Sequence, residues 1–196
     1  YYGVPAANMD AVYNAWQQMQ RIAPDESIFA RHPQLKPGQY YFSMANLLKN
    51  KNFPWVLRAA GAKPDAVRAI AGGGSLAAEA ERLGLADLPN VLYLGYVSDG
   101  AAKALMAHCK AFLFPPLYEV CGIPPLEAAA CGAPQFIVSD TPCMREVYGP
   151  CAAYIDLTAN PGDVDDVTPA TAPTAALLEK YSWDKRAARL RPKHEN

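Results

Sequence analysis

The sequence predicts an α/β protein built on a doubly wound parallel sheet of about six strands. Two observations predict this fold class. From Tyr40 onward, short apolar segments alternate with helix-like segments, and most of the apolar segments are unbroken. Unbroken apolar runs are typical of strands covered by helices on both faces, and their alternation with helices favours parallel strands joined by helical crossovers.

Six apolar segments predict the strands, at residues 40–45, 66–72, 90–95, 110–114, 134–139 and 152–156. Five segments between them predict helices, at residues 53–62, 75–84, 99–108, 124–131 and 142–148. The second helix illustrates the signals, because Ser75 is a good N-terminal cap and Gly84 a good stop. Residues 157–174, rich in Asp, Thr and Pro, predict a surface loop, and the basic stretch at 185–193 predicts an amphipathic helix.

The first 39 residues differ from the rest of the chain. Residues 10–22 predict one helix that begins after Asp10, and residues 23–39 are polar, contain three prolines and predict a loop. We therefore assign residues 1–39 to a linker with a helix and a loop, and residues 40–196 to the α/β domain.

The composition excludes several classes of protein. The chain has 196 residues, of which 51% are hydrophobic and 19% charged, and its net charge of −1 argues against a dedicated nucleic-acid binder. Glu119 and Glu127 interrupt the most apolar region, so no membrane-spanning helix fits there. The five cysteines include no C-x-x-C pair and the three histidines are scattered, so we expect reduced thiols, no metal site and a cytoplasmic location.

Residues 112–134 carry the strongest chemical signal. A strand ends at Phe114, a proline-rich turn follows, and a helix begins near Pro124 with Glu127 in its first turn. Free amides near Gly122 at the start of that helix favour an anion such as a diphosphate. Carboxylates at Glu119 and Glu127 would then accept hydrogen bonds from sugar and ribose hydroxyls. The spacing equally allows a solvated loop residue at 119 and a residue at 127 that only stabilises the helix dipole.

The stretch from Glu119 to Pro134 reads E-V-C-G-I-P-P-L-E-A-A-A-C-G-A-P. It resembles the E-x7-E signature of the family 4 retaining glycosyltransferases, whose usual form is E-G-F-G-L-P-x-L-E-A-M-A-C-G-x-P and whose fold is GT-B. Further fragments resemble family segments in the same order, at residues 47–53, 70–75, 88–99, 139–149 and 181–187. The resemblance covers about residues 40–190. It implies a Rossmann-like domain that forms the C-terminal, donor-binding half of a GT-B enzyme, preceded by an interdomain linker that residues 1–8 resemble.

The resemblance also implies roles for individual residues. Lys51 matches the lysine that pairs with the donor phosphates, and Glu119 matches the residue that contacts hydroxyls of the transferred sugar. Asn46 stands where the family often has an arginine that also contacts phosphate, so it donates a hydrogen bond without a charge. The remaining donor-binding residues implied by the resemblance are Gly73 and Gly74 beside the nucleotide, Val97 at the base, Gly122 and Ile123 at the sugar or diphosphate, and Glu127 at the ribose.

For the whole enzyme, the resemblance implies retaining transfer of a hexose from a nucleotide-diphosphate sugar, linked to UDP, GDP or ADP, without a metal or other cofactor. The leaving phosphate would help to deprotonate the acceptor hydroxyl. The acceptor, a glycan or a lipid, would bind an N-terminal domain absent from this chain, so we expect the chain alone to be inactive. Peripheral association with the inner face of the membrane would suit a lipid acceptor.

Two alternatives stay open. Gly72, Gly74 and Ala77 satisfy G-x-G-x-x-A between a strand and a helix, as in NAD-dependent oxidoreductases. That interpretation leaves the E-x7-E segment without a role, and no acidic residue follows at a strand end about 20 positions later. Alternatively, the chain is a module that binds a nucleotide and catalyses nothing.

Overall fold

Six parallel strands form the centre of the computed structural model, which describes residues 3–5, 9, 13–44, 46, 48–159, 164 and 167–190. The strands are β1 (Tyr40–Met44), β2 (Val67–Ala71), β3 (Val91–Gly95), β4 (Ala111–Phe114), β5 (Phe136–Ser139) and β6 (Ala153–Ile155). Their order in the sheet is β3-β2-β1-β4-β5-β6, and every neighbouring pair is parallel. The strand order reverses between β1 and β4, so the predicted doubly wound fold is confirmed.

Eight α-helices accompany the sheet within the described residues: α1 (Ser27–Arg31), α2 (Phe53–Ala62), α3 (Leu76–Arg82), α4 (Asp99–His108), α5 (Ile123–Ala130), α6 (Pro142–Tyr148), α7 (Thr174–Lys180) and α8 (Trp183–Leu190). The strands and helices predicted over residues 40–156 are confirmed within two residues at each end. The amphipathic helix predicted near residue 185 corresponds to α8, and residues 191–196 lie outside the described part of the chain.

The core lies on both faces of the sheet. On one face, Phe42 and Phe112 pack in a cluster with Leu105 of α4, and on the other, Leu113 packs with Leu57 of α2. Successive strand residues such as Phe112 and Leu113 point to opposite faces and are both fully buried. This explains why the strands are unbroken apolar runs in the sequence.

The prediction for the N-terminal segment is wrong in two respects. Residues 13–16 are not helical, and only a short 3₁₀ helix forms at Gln17–Arg21; residues 10–12 lie outside the described part of the chain. The predicted loop at 23–39 contains α1, where the Asp25 carboxylate accepts hydrogen bonds from the backbone and hydroxyl of Ser27.

Contacts with the domain explain the first difference. The Lys103 ammonium donates to the carbonyl oxygens of Met19 and Ile22 at 2.7 and 2.8 Å, and the Trp16 indole donates to the carbonyl of Leu178 at 2.7 Å. These bonds fix the segment against distant parts of the chain, so tertiary contacts override the local helical pattern. The segment consequently lies against α4, α5 and α7. In the described part of the chain, no helix has the length and apolar character needed to cross a membrane.

Candidate functional site

A cleft of about 360 Å³ opens at the carboxyl ends of β1, β2, β3 and β4, beside the point where the strand order reverses. This is where open α/β sheets bind their ligands. Four of the predicted site residues line it: Asn46, Lys51, Gly73 and Val97. A larger cavity of about 520 Å³ lies between α2 and α3, but no predicted site residue lines it. We therefore take the smaller cleft, where loops from four strands converge, as the candidate site.

Lys51 and Glu119, the two predicted catalytic residues, are in direct contact. The Lys51 ammonium donates a hydrogen bond to Oε1 of Glu119, and their side chains are only 22% and 13% exposed. The Asn50 amide donates to the same oxygen at 3.4 Å. The lysine also lies 5.4 Å from the centre of the Phe114 ring at the end of β4. A donor phosphate at this site would compete with Glu119 for the charge of Lys51.

Two asparagines join the loop after β1 to the loop after β4. The backbone amide of Leu117 donates to the carbonyl of Asn50 at 2.8 Å, and the side chain of Asn52 donates to the carbonyl of Pro115 at 3.1 Å. Asn52 is buried and has φ of 55°, a left-handed conformation that asparagine tolerates better than most residues. This link holds Lys51 beside Glu119. Sequence reasoning missed both asparagines, although the Asn just before α2 was a visible signal.

The N-terminus of α5 lies at the edge of the cleft, where Pro124 forms part of the wall. Gly122 precedes the helix with φ of 65°, and its carbonyl accepts a hydrogen bond from the Tyr148 hydroxyl. A Cβ at this glycine would lie 2.7 Å from Cε of Met144, so a side chain here would require the end of the Met144 side chain to move. Gly122 and Ile123 themselves do not line the cleft; they adjoin it through Pro124.

Glu127 lies one turn further along α5 and also does not line the cleft. It is half-buried, and burial raises the pKa of its carboxyl, with the nearby charge of Asp99 adding to the effect. The Gln18 amide donates a hydrogen bond to Oε1 of Glu127 at 3.1 Å, and this bond lowers the pKa of the carboxyl. Sequence reasoning missed Gln18, because it belongs to the N-terminal segment and nothing in the local pattern links it to α5.

The glycines after β2 form the next part of the wall. Gly73 lines the cleft, and a Cβ there would meet no atom within 4 Å, so this backbone is open to a ligand. Gly74, outside the wall, has φ of 88° and turns the chain into α3. The predicted cap is confirmed, since the Ser75 hydroxyl accepts a hydrogen bond from the backbone of Ala78.

The loop after β3 contributes Tyr96, Val97 and Asp99 to the cleft. Tyr96 is 84% exposed, and Asp99 is the first residue of α4. Sequence reasoning singled out Val97 alone in this loop. On the opposite side, the side-chain oxygen of Asn46 accepts a hydrogen bond from the backbone of Leu48 at 3.1 Å, which leaves its amide nitrogen as the group available to a ligand.

The thiols do not take part in this arrangement. All five cysteines are unpaired, and burial raises the pKa of Cys109 to about 12 and that of Cys131 to about 11. Such thiols are weak nucleophiles at neutral pH. Within the described residues, no three His, Cys, Asp or Glu side chains cluster closely enough to hold a metal ion.

Solved structures share this fold. The protein Alr3699/HepE from Anabaena, in a crystal structure with UDP-glucose, superposes with a TM-score of 0.71, at 17% identity over 95% of this chain and 57% of that one. Sucrose-phosphate synthase from Thermosynechococcus elongatus gives 0.67, at 17% identity over 91% of this chain and 49% of that one. At these identities the likeness shows the fold alone, which is the Rossmann-like half of a GT-B architecture.

Two Escherichia coli proteins are similar in sequence. The O-antigen chain mannosyltransferase B is 33% identical over 108 residues, which are 48% of this chain and 27% of that protein. The serotype-specific mannosyltransferase WbdA is 39% identical over 77 residues, which are 39% of this chain and 9% of that protein. The chain thus matches only a small part of these relatives. A family model described as glycosyl transferases group 1 matches residues 24–166, most of the chain, and the protein therefore belongs to that family.

Proposed function

We propose that this chain is the donor-binding half of a retaining, metal-independent hexosyltransferase. The observation that carries the proposal is the convergence of a cation, an open glycine backbone and a helix N-terminus on one cleft: Lys51, Gly73 and α5. Each of these three groups favours phosphate oxygens. Their meeting point lies where the strand order reverses, and the cleft is open to solvent.

In this proposal, the diphosphate binds between Lys51 and the first turn of α5. Asn46 contributes a neutral donor where the family often has an arginine. Glu119 accepts hydrogen bonds from the hydroxyls of the sugar, and Glu127 accepts them from the ribose. Because Lys51 and Glu119 contact each other before a donor binds, the diphosphate and the sugar together replace an existing ion pair.

The proposed chemistry is displacement of the diphosphate with retention at the sugar carbon. Charge develops on the leaving oxygen, and Lys51 and the positive end of α5 stabilise it without a metal. The departing phosphate, on the same face as the acceptor, takes the proton of the acceptor hydroxyl. No carboxylate of the chain acts as a nucleophile in this scheme.

The hexose is supported by the relatives, two of which are named mannosyltransferases. A UDP-sugar in one structural neighbour supports a nucleotide-diphosphate sugar as the donor class.

We propose that a glycan or lipid acceptor binds a separate N-terminal domain and that this chain alone is inactive. A cytoplasmic location and peripheral association with the inner face of the membrane complete the proposal; five unpaired thiols favour a reducing compartment.

The second candidate is a module that binds a nucleotide but catalyses nothing. The convergence of Lys51, the open backbone of Gly73 and the N-terminus of α5 on one cleft favours a transferase, because these groups stabilise the charge of a leaving diphosphate as well as bind it. The oxidoreductase alternative gains no support from the comparisons.

Calorimetric titration of the chain with UDP, GDP, ADP and NAD, in the presence of EDTA, tests the donor site. We expect one nucleoside diphosphate to bind, and Lys51→Met to weaken it by at least about tenfold, which corresponds to about 1.4 kcal/mol. Lys49→Met is the matched control, because Lys49 is a neighbouring lysine outside the cleft. Binding of NAD alone, or equal effects of the two lysine variants, would contradict the proposal.

A test of the proposed transfer reaction needs this chain joined to an acceptor-binding domain. Transfer should persist in EDTA and should give a product with the anomeric configuration of the donor, as nuclear magnetic resonance of the product would show. Loss of transfer in EDTA that is restored by Mg²⁺ or Mn²⁺ would overturn metal independence without affecting the donor site.

A further inference from the structure

Two of the five thiols lie where α6 meets the turn that joins Glu119 to α5. Cys121 belongs to that turn, and Cys143 lies in the first turn of α6. We propose that Cys121 and Cys143 form a modification site, an oxidisable pair that hydrogen peroxide converts to a disulfide, and that this disulfide weakens binding of the donor. The effect on binding rests on the proposed function, whereas formation of the disulfide does not.

The first observation is how closely α6 approaches the turn. The Cys143 thiol donates a hydrogen bond to the carbonyl oxygen of Val120 at 3.0 Å. A carbonyl oxygen lies about 2.8 Å from the Cα of the next residue, so Sγ of Cys143 is within about 6 Å of the Cα of Cys121. On the other side of Cys121, the carbonyl of Gly122 accepts a hydrogen bond from the Tyr148 hydroxyl of α6. Contacts on both sides of Cys121 therefore hold it beside the helix that carries Cys143.

The second observation is that a small oxidant can reach the pair. Val120, the residue next to Cys121, is 96% exposed, and both thiols of the pair are only partly buried. Cys109 and Cys151, in contrast, are buried. Dissolved peroxide therefore meets the pair more readily than it meets these two thiols.

The third observation concerns how readily the thiols ionise. Burial raises the pKa of both thiols, and for Cys143 the next largest cause is the nearby Cys121. Hydrogen bonding to Asn14 lowers the pKa of Cys121 in part. The thiolate is the form that attacks peroxide, so thiols with a raised pKa react slowly. The pair therefore stays reduced in a reducing compartment and forms the disulfide only under sustained exposure to peroxide.

The proposed reaction is an oxidation in two steps. One thiol loses its proton and attacks an oxygen of hydrogen peroxide; the O–O bond breaks, the sulfur becomes a sulfenic acid, and the departing hydroxide takes the proton to form water. The second thiol then loses its proton and attacks the sulfenic sulfur. The S–S bond forms, and the released hydroxide takes that proton to form a second water. Two thiols and one peroxide thus give one disulfide and two waters.

The disulfide would alter the turn in two ways. It removes the proton that the Cys143 thiol donates to the carbonyl of Val120. It also brings Sγ of Cys121 to about 2 Å from Sγ of Cys143, which draws the turn toward α6. Because this turn carries Glu119 and leads into the first turn of α5, its displacement moves two parts of the proposed donor site.

A competing role for the two thiols is packing, since both lie against the apolar cluster on one face of the sheet. That role predicts that peroxide leaves the two cysteines unlinked and produces only separately oxidised sulfurs. The covalent link between Cys121 and Cys143 therefore distinguishes the two roles.

The test treats the chain with a stoichiometric amount of hydrogen peroxide and maps the proteolytic peptides by mass spectrometry. We expect the peptides that contain Cys121 and Cys143 to be recovered as one linked species, which dithiothreitol separates. Cys121→Ser and Cys143→Ser should each abolish the link. Cys131→Ser is the matched control, because Cys131 is also partly exposed but lies at the C-terminal end of α5, and it should leave the link unchanged.

The effect on binding is measured by titrating the reduced and the oxidised chain with UDP, GDP and ADP. The nucleoside diphosphate that binds the reduced chain should bind the oxidised chain about tenfold more weakly, which is the loss expected for one hydrogen bond to a charged group. Dithiothreitol should restore the affinity. Peroxide should leave the affinity of Cys121→Ser and of Cys143→Ser unchanged.

Three results would count against the inference. If Cys121 and Cys143 remain in separate peptides after oxidation, the pair is not a modification site. If the disulfide forms and the affinity stays the same, its effect on the donor site is refuted. If the reduced chain binds no nucleoside diphosphate, the proposed donor site fails, and the peptide map still decides whether the two thiols pair.

Discussion

At the scale of single residues, the contact between Lys51 and Glu119 has the clearest functional consequence. While the Lys51 ammonium pairs with the Glu119 carboxylate, part of its charge is neutralised and it binds a phosphate less strongly. The pair therefore keeps the charge of each residue partly compensated until a ligand offers both a phosphate for Lys51 and hydroxyls for Glu119. Under the proposed function, this arrangement would favour the complete nucleotide-sugar donor over the bare nucleotide.

Glu119→Gln separates these contributions. The substitution releases Lys51 from its charged partner, so we expect the bare nucleoside diphosphate to bind as tightly as to the unaltered chain or tighter. The diphosphate sugar should bind more weakly, because the sugar hydroxyls lose their charged acceptor, by about 1–3 kcal/mol. Calorimetry with both ligands measures the difference. Equal weakening of both ligands would show that Glu119 acts through the fold and not through the sugar.

Glu127 gives a prediction for how the free energy of unfolding and the ligand affinity depend on pH. Burial raises the pKa of its carboxyl above the ordinary value of 4.5, so the folded chain binds this proton more tightly than the unfolded chain. Its contribution to the free energy of unfolding therefore falls as pH rises from the ordinary value through the raised one. Ligand affinity should change in the opposite direction, because the ionised carboxylate is the better acceptor for ribose hydroxyls.

Glu127→Gln should accordingly raise the melting temperature of the ligand-free chain at neutral pH and weaken the nucleoside diphosphate. It should also flatten the change in affinity between pH 7 and pH 5. The exposed Glu81, changed to Gln, is the control and should leave both quantities unchanged. A lower melting temperature for Glu127→Gln would mean that the ionised carboxylate stabilises the fold, contrary to the effect of its burial.

At the scale of elements, the sequence predicted the sheet well because the four central strands, β2, β1, β4 and β5, are almost entirely buried and therefore form unbroken apolar runs. The N-terminal segment was predicted wrongly because Lys103 and Trp16 tie it to the rest of the domain through hydrogen bonds between residues that lie far apart in the chain. Local periodicity contains no information about such partners.

The turn before α5 allows a direct test of backbone geometry. Gly122→Ala adds a methyl group that would lie 2.7 Å from Met144 in a left-handed conformation. Gly132→Ala is the matched control, because Gly132 has φ of 88° but open space around it. We expect Gly132→Ala to cost about 1 kcal/mol of unfolding free energy and Gly122→Ala clearly more, with weaker nucleotide binding. Equal costs in urea unfolding would mean that Met144 gives way freely.

The loop link at Asn52 allows a second comparison. Asn52→Gly removes the hydrogen bond to Pro115 but accepts the left-handed conformation, whereas Asn52→Ala removes the bond and adds strain. Urea unfolding should rank alanine below glycine by about 1 kcal/mol. Both variants should bind the nucleoside diphosphate more weakly, because Lys51 is no longer held in place. Unchanged binding in the glycine variant would show that Lys51 does not need this link.

At the scale of the whole molecule, the strand order explains how much of the site was predictable. Loops that follow parallel strands meet at one edge of the sheet, so Asn46, Lys51, Gly73 and Val97, distant in sequence, line one cleft. Gln18 and Asn50 were not predictable in the same way. Gln18 reaches Glu127 across 109 positions, and Asn50 acts on a residue 69 positions away, through contacts that only the folded chain creates.

The N-terminal segment also joins the ends of the molecule. Besides Gln18 at Glu127, Gln17 accepts a hydrogen bond from the backbone of Trp183 at the start of α8. The segment therefore contacts both the candidate ribose-binding residue and the C-terminal helices. The division into a linker at residues 1–39 and a domain at 40–196 stays a prediction.

Hydrogen exchange of the chain, with and without the nucleoside diphosphate that binds it most tightly, tests the central claim most directly. The claim predicts that the ligand slows exchange at residues 71–76 and 96–99, which follow β2 and β3 in the cleft wall, and at residues 122–127, where α5 begins beside the cleft. The surroundings of Arg58 and Arg82 in the larger cavity should exchange at unchanged rates. Protection around Arg58 and Arg82, with none at the carboxyl edge of the sheet, would contradict the assignment of the donor site.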